Sequence, residues 1–240
     1  MKKYSNISSI KTEDKSTWSD KTFLTIDMDW AHDEVIEDTL HIINSHGASS
    51  TWFVTHKSSL LNQMENNDNI ELGIHPNFNK ILDGSNYHNN TNSSKIIEDA
   101  LKLVRNCKSI RSHSLTQSEK LLDEFQSFGL THICNLYIPL SANIELKPFN
   151  LWDNITIVPH SWQDNVQLRL YNKLLKIDSI NNVNLKVFNF HPIHIYLNTE
   201  NLVRYENTRH LHNNPKELIR YRYNGFGIRS LLLELMKNNI

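Results

Sequence analysis

The chain has 240 residues, with 25 Lys+Arg against 26 Asp+Glu for a formal charge of -1, and 39% of it is hydrophobic. The near-neutral charge removes any bulk electrostatic case for a nucleic-acid or anionic-membrane partner, and the length suits one large α/β domain or two small ones. Cys107 and Cys134, the only cysteines, make neither a disulfide framework nor a CxxC metal site. They read as small buried hydrophobes in a reducing, cytoplasmic setting.

Residues 1–20, "MKKYSNISSIKTEDKSTWSD", carry two early lysines but no apolar core, so they do not read as a signal peptide. They are expected to be loosely attached. No later run approaches the roughly 18 apolar residues that span a bilayer.

From Thr22 onward, strand and helix patterns alternate. Thr22–Met28 reads as a buried strand. Residues 33–45 place Val35, Ile36, Leu40, Ile42 and Ile43 at near-helical spacing and end before Gly47, a good C′ residue. "SSTWFVT" (49–55) is β-branched and aromatic, hence a strand; "SSLLNQMENN" suits a short helix and "NIELGIH" a strand. Leu82–Ser94 is a polar surface loop. Ser94–Val104 is an amphipathic helix capped by its serine, "SIRSH" a short strand, and Gln117–Phe128 a helix closed by Gly129. Strands follow at "THICNLYI", "NITIVPH" and "LKVFNFH", then a helix around Ser230–Lys237. Such alternation predicts a parallel sheet, open or closed into a barrel.

In parallel α/β folds the chemistry collects at the carboxyl ends of the strands. Here those ends carry Asp27 and Asp29 (both on one face at i, i+2), His75, Arg111 with His113, and His191, with His194 beyond it. Any one of these has a bland explanation, as a helix-capping carboxylate or a hydrogen-bonded structural histidine. Together they resemble the mixed carboxylate and imidazole donors that hold a hydrolytic Zn²⁺ or similar ion. The remaining histidines, among them His56, His88, His132, His160 and His212, read as surface or loop residues without a role.

The motif order resembles the NodB-homology polysaccharide deacetylases. "TIDMD" (25–29) stands for that family's T-F-D-D, "HGASSTWFV" (46–54) for H-G-x-x-A-T-F-F-V, and "ELGIH" for E-I-G-x-H. "RSHS" (111–114) stands for R-x-P-[YF], and "FNFH" for the late strand ending in His. The match runs over residues 22–195. Three departures stand out: an extra residue between the aspartates, Asn79 in place of a second histidine, and His113 in place of proline.

The resemblance implies a distorted, seven-stranded (β/α) barrel over residues 21–240 that removes acetyl groups from N- or O-acetylated sugars of surface polysaccharides. It also implies a divalent metal, Zn²⁺ foremost, on Asp29, His75 and His113, with His113 compensating for Asn79. Asp27 would be the general base, oriented by Arg111. His191, steered by Asp164, would be the acid, with backbone N–H groups near Ser112–Ser114 stabilising the oxyanion. Trp30, Asn79, Trp162 and Asp164 are the expected sugar contacts. Three other readings stay open. "AHDEV" resembles the opening of a Rossmann-like zinc N-acetylglucosamine deacetylase. The loss at Asn79 suits an inactive carbohydrate-binding domain. His113 could be an ordinary residue hydrogen-bonded to Asp27 or Asp29.

Overall fold

The structure is a computed structural model that describes residues 3–83, 92–152, 154–171 and 183–237. Most of the polar loop expected at 82–94 and all of His88 lie outside the described residues. Nine strands are described: β1 (Thr22–Asp27), β2 (Ser50–Val54), β3 (Ile70–Ile74), β4 (Ser109–Ile110), β5 (His132–Ile133), β6 (Phe149–Leu151), β7 (Ile155–Ile157), β8 (Trp162–Gln163) and β9 (Lys186–Phe190). They form one sheet in the order β6-β7-β5-β4-β3-β2-β1-β9-β8, parallel throughout except for the β6–β7 pair. The sheet curls into a half-barrel, the distorted barrel expected from the sequence, with two strands more than the expected seven. The additions are edge strands, β6 and the two-residue β8, too short to show a hydrophobic pattern.

Among the described residues the α-helices are α1 (Asp33–Ser45), α2 (Leu61–Glu65), α3 (Asn79–Leu82), α4 (Ser93–Leu101), α5 (Glu119–Ser127), α6 (Asp164–Tyr171), α7 (Pro192–Leu197), α8 (Leu202–Thr208), α9 (Pro215–Leu218) and α10 (Ile228–Lys237). Local chemistry sets several boundaries. His32 caps α1 by accepting from the Glu34 N–H, and Asp33 and Glu34 face the positive end of the helix dipole. Gly47 and Gly129 take φ of +61° and +76° just past α1 and α5, where a side chain would be strained. Asn92, not Ser94, caps α4.

Period-2 alternation divides the strand residues between two faces. Leu24, Ile26, Trp52, Val54, Ile74, Phe188 and Phe190 face outward into a core shared with the helices. Phe23, Phe53, Cys134 and Val187 face inward and pack against Ile7, Ile10 and Trp18. The N-terminal segment is therefore part of the core, contrary to the loose attachment expected. Tyr4 pairs with Thr22, the Ile7 N–H donates to Thr51 Oγ1 at 3.0 Å, and His132 Nε2 meets the Ile10 carbonyl at 3.0 Å. Its apolar residues are spaced too irregularly to announce an element, but each adds about 1.5–3 kcal/mol on burial.

Candidate metal centre

At the carboxyl ends of the strands the inward face turns polar. Arg111 follows β4 directly and is fully buried, with its guanidinium 4.5 Å over the Phe53 ring. Its Nη1 donates to Asp27 Oδ1 at 3.0 Å, Asn189 Oδ1 at 2.6 Å and Thr25 Oγ1 at 2.9 Å, and its Nε to the Cys134 carbonyl at 3.2 Å. Asn189 Nδ2 donates in turn to Asp27 Oδ2 at 2.8 Å. Burial opposes ionisation of Asp27, but Arg111 and then His75 and His191 outweigh it and hold the carboxyl below its ordinary value.

Asp29 stands above this floor in a turn where Asp29 and Trp30 adopt φ of +42° and +56°. That left-handed pair aims one carboxylate oxygen, Oδ1, at two imidazoles: His75 Nε2 at 3.2 Å and His113 Nδ1 at 3.1 Å. His75 follows β3 directly. His113 lies beyond β4 in a tight turn, not in the strand expected at "SIRSH". The ladder stops there because Pro76 has no N–H to return, although the His113 N–H still reaches the Pro76 carbonyl, and the Ser112 N–H bonds to Asn135 Oδ1. One donor atom each from Asp29, His75 and His113 lies within 4.8 Å of the others.

This set fits a divalent ion. Tetrahedral coordination with bonds of about 2.0–2.1 Å puts neighbouring donors roughly 3.3 Å apart. The two Asp29 contacts are that close, and donors of this type bind once they have lost their protons. His75 Nδ1 is buried without a hydrogen-bond partner, 3.9 Å from Asp27 Oδ1. Burial opposes ionisation of Asp29, yet hydrogen bonds from His113 and His75 outweigh it and keep the carboxyl well below its ordinary value. A plain hydrogen bond from His113 to Asp29 has this same geometry, so the two readings of His113 differ only in whether an ion replaces the proton.

Across from this set, His191 follows β9 with Nε2 3.4 Å from Asp29 Oδ2 and 3.8 Å from Asp27 Oδ2. Asp164, the first residue of α6, grips it from behind: Oδ1 is 2.5 Å from Nδ1, and Oδ2 accepts the His191 N–H at 2.7 Å. Burial alone would lower the His191 pKa, but Asp164, Asp29 and Asp27 outweigh it and push it up to about 10. A pocket of about 380 Å³ opens over Asp29, His113 and His191, walled by Trp30, His194, Tyr205 and His212. Its size is that of a small-ligand site. Tyr205 is sandwiched between His194 and His212, with ring centroids 5.0 and 4.8 Å apart.

Of the expected sugar contacts, Trp30 is 47% exposed and packs edge-on against His113 at 5.1 Å, free to meet a ligand. Asn79 opens α3, its amide 3.5 Å from Ser114 Oγ, apart from the Asp29 set. Two expectations need correction. Trp162 is a core side chain packed on Phe188 and Phe190, and Asp164 is wholly buried against His191, so neither presents itself to a sugar. The oxyanion donors expected near Ser112 are also reduced, because the Ser112 and His113 N–H groups are already bonded.

Several histidines read as surface residues are not. His132 and His160 are buried, and His212 walls the pocket. No sequence signal separates them, because each lies in a segment whose burial depends on distant elements. The "AHDEV" carboxylate Asp33 is occupied by Ser58 and Ser59. Cys107 and Cys134 are free thiols pushed up to about 12 by burial, too weakly acidic to act as nucleophiles. Among the described residues no helix is long and apolar enough to cross a membrane.

Comparison with known proteins gives no match among curated proteins. Among solved structures, a Bordetella bronchiseptica protein described as a polysaccharide deacetylase involved in O-antigen biosynthesis is similar at 38% identity and a TM-score of 0.93, covering 99% of this chain and 98% of its own. A family 4 carbohydrate esterase from Bacillus anthracis is similar at 16% identity and a TM-score of 0.43, covering 92% of this chain and 84% of its own. A family 4 pseudoenzyme from the same organism is similar at 16% identity and a TM-score of 0.40, covering 88% of this chain and 65% of its own. The last two are too distant to bear on mechanism. The WbmS-like polysaccharide deacetylase model matches residues 24–209. With three quarters of its length matched by that model and a full-length relative of the same description, the chain belongs to the WbmS-like polysaccharide deacetylase family.

Proposed function

We propose that this protein hydrolyses an acetyl group from an N- or O-acetylated sugar during surface-polysaccharide biosynthesis, using a divalent ion, Zn²⁺ foremost, held by Asp29, His75 and His113. The observation that carries the reading is the single Asp29 oxygen facing two imidazole nitrogens, with a carboxylate-gripped histidine on the other side. When bound, the ion supplies Lewis-acid polarisation of the acyl carbonyl and a more acidic water. Asp27, kept ionised beside Arg111, takes a proton from the attacking water. Its strength as a base is modest because Arg111 and Asn189 already occupy both oxygens. His191, protonated and oriented by Asp164, gives its proton to the leaving amine or alcohol. Trp30 offers its exposed ring to the sugar, and the pocket's volume suits one sugar residue better than a long chain segment. Two free thiols suit a cytoplasmic, reducing site of action.

The Rossmann-like deacetylase reading does not survive the curled sheet and the family match. The test of the proposal is metal content by elemental analysis together with acetate release from N-acetylated and O-acetylated hexoses. One equivalent of metal, lost in Asp29→Ala, His75→Ala and His113→Ala but kept in Asn79→Ala, supports the ligand set. Metal and sugar binding without acetate release from any acetylated sugar would establish the binding-domain reading instead.

A further inference from the structure

We propose that Thr55 and His56 are positioning residues for Asp29, clamping the left-handed turn that aims its carboxylate; this rests on Asp29 being a metal ligand. The turn needs a clamp. Neither Asp29 nor Trp30 is glycine, yet both have positive φ, a conformation that costs L-residues of the order of 1 kcal/mol each and persists only where the surroundings enforce it.

The enforcing contacts come from the carboxyl end of β2. Thr55 Oγ1 accepts the Trp30 N–H at 3.0 Å, and His56 Nε2 lies 3.1 Å from the Ala31 carbonyl. Thr55 Oγ1 and His56 Nδ1 are 2.8 Å apart. The Ala31 carbonyl can only accept, so Nε2 carries the ring hydrogen and Nδ1 accepts from the Thr55 hydroxyl. Every group is then satisfied in one sense only: Trp30 N–H to Thr55 Oγ1, Thr55 O–H to His56 Nδ1, His56 Nε2–H to the Ala31 carbonyl. Asp33 fastens the same two loops by accepting from Ser58 and Ser59.

The inserted residue between the two aspartates explains why such a device exists. Asp27 ends its strand facing inward, and regular continuation would return Asp29 to the same face one pleat further along. The backbone instead reverses after Met28, with the Ala31 N–H bonded to the Met28 carbonyl at 2.9 Å, and lays Asp29 across His75 and His113. Without the clamp the turn can relax to negative φ and carry Oδ1 away from both imidazoles.

The test compares Thr55→Val, which keeps the shape and removes the hydroxyl, with Thr55→Ser, which keeps the hydroxyl. Zn²⁺ affinity is measured by chelator competition, and backbone amide exchange is followed in the metal-free protein. Thr55→Val and His56→Phe should weaken Zn²⁺ binding about 10–100-fold, as loss of a ligand's supporting contacts does elsewhere. Thr55→Ser should restore it. Faster exchange should be confined to residues 29–33. Wild-type Zn²⁺ affinity in Thr55→Val, or an equally protected Trp30 amide, overturns the proposal, as does acceleration spread over all amides, which marks a merely structural role. Should the wild-type protein take up no Zn²⁺, the ligand assignment of Asp29 falls. The Trp30 amide then decides by itself whether the clamp exists.

Discussion

Replacing Arg111 by Met tests whether the floor of the site is a coupled ionic unit. In the native protein Arg111 and Asp27 are both almost wholly buried, and their 3.0 Å contact is the one full ion pair Asp27 makes with a permanently charged group among the described residues. Met fills much of the same volume over Phe53 but leaves Asp27 with the Asn189 amide as its one remaining side-chain hydrogen bond, His191 and His75 standing off at 3.8 and 3.9 Å. The Cys134 carbonyl and Thr25 hydroxyl lose a donor too. Breaking a buried pair from one side costs about 3–5 kcal/mol, a roughly 10²–10⁴-fold rise in the unfolding constant. Adding Asp27→Asn removes the stranded charge and lets an amide pair with Asn189. The double variant should then recover most of the loss, giving a coupling energy of about 2 kcal/mol or more. Urea unfolding of the metal-free protein at pH 7 measures all four corners of the cycle. A cost below about 1 kcal/mol for Arg111→Met would refute the reasoning, as would strictly additive losses in the double variant.

Asp164→Asn should lower deacetylation by about 10²–10³-fold while leaving metal content unchanged, since it releases His191 without touching the Asp29 set. The basic limb of the kcat/KM–pH profile should move to lower pH, because Asp164 is the strongest influence raising His191 to about 10. His160 should make the protein acid-sensitive: burial first, and then Arg111, lower its pKa from 6.5 to about 3. Below pH 6.5 the unfolded chain binds a proton that the native state refuses, so stability falls as pH falls through that window, by up to about 1.4 kcal/mol per pH unit. His160→Asn should flatten the urea midpoint against pH between 6 and 4. Trp18→Ala should cost about 3–5 kcal/mol despite its place in a segment without sequence periodicity, and thermal unfolding would reveal it.

The sequence by itself determined which strand ends carry chemistry. β1, β2, β3 and β9 are long enough for buried runs to show, and parallel strands end at one rim, so Asp27, His75 and His191 could be placed together from their position in each run, and Arg111 with them from the short "SIRSH" run. The boundaries of α1 and the stop at Gly129 were equally legible, being set by capping and left-handed φ within a few residues. Only the tertiary structure decided the rest. The strands expected at "SIRSH" and "THICNLYI" keep only two paired residues each, β4 and β5, and β8 has no counterpart among the expected strands. His113 reaches Asp29 from a turn beyond the ladder, where the Ser112 N–H bonds Asn135. Trp162 looked like a sugar contact, but β8 pairing with β9 turns it into core. Asp164 lies on His191 as the resemblance implied, and its complete burial is what removes it from the sugar. Thr55 and His56 looked unremarkable, for their partners lie 25 residues back along the chain. Local signals record what a residue does to its own backbone. Burial and hydrogen bonding between segments distant in the chain are set when those segments meet, and the site is built from such meetings.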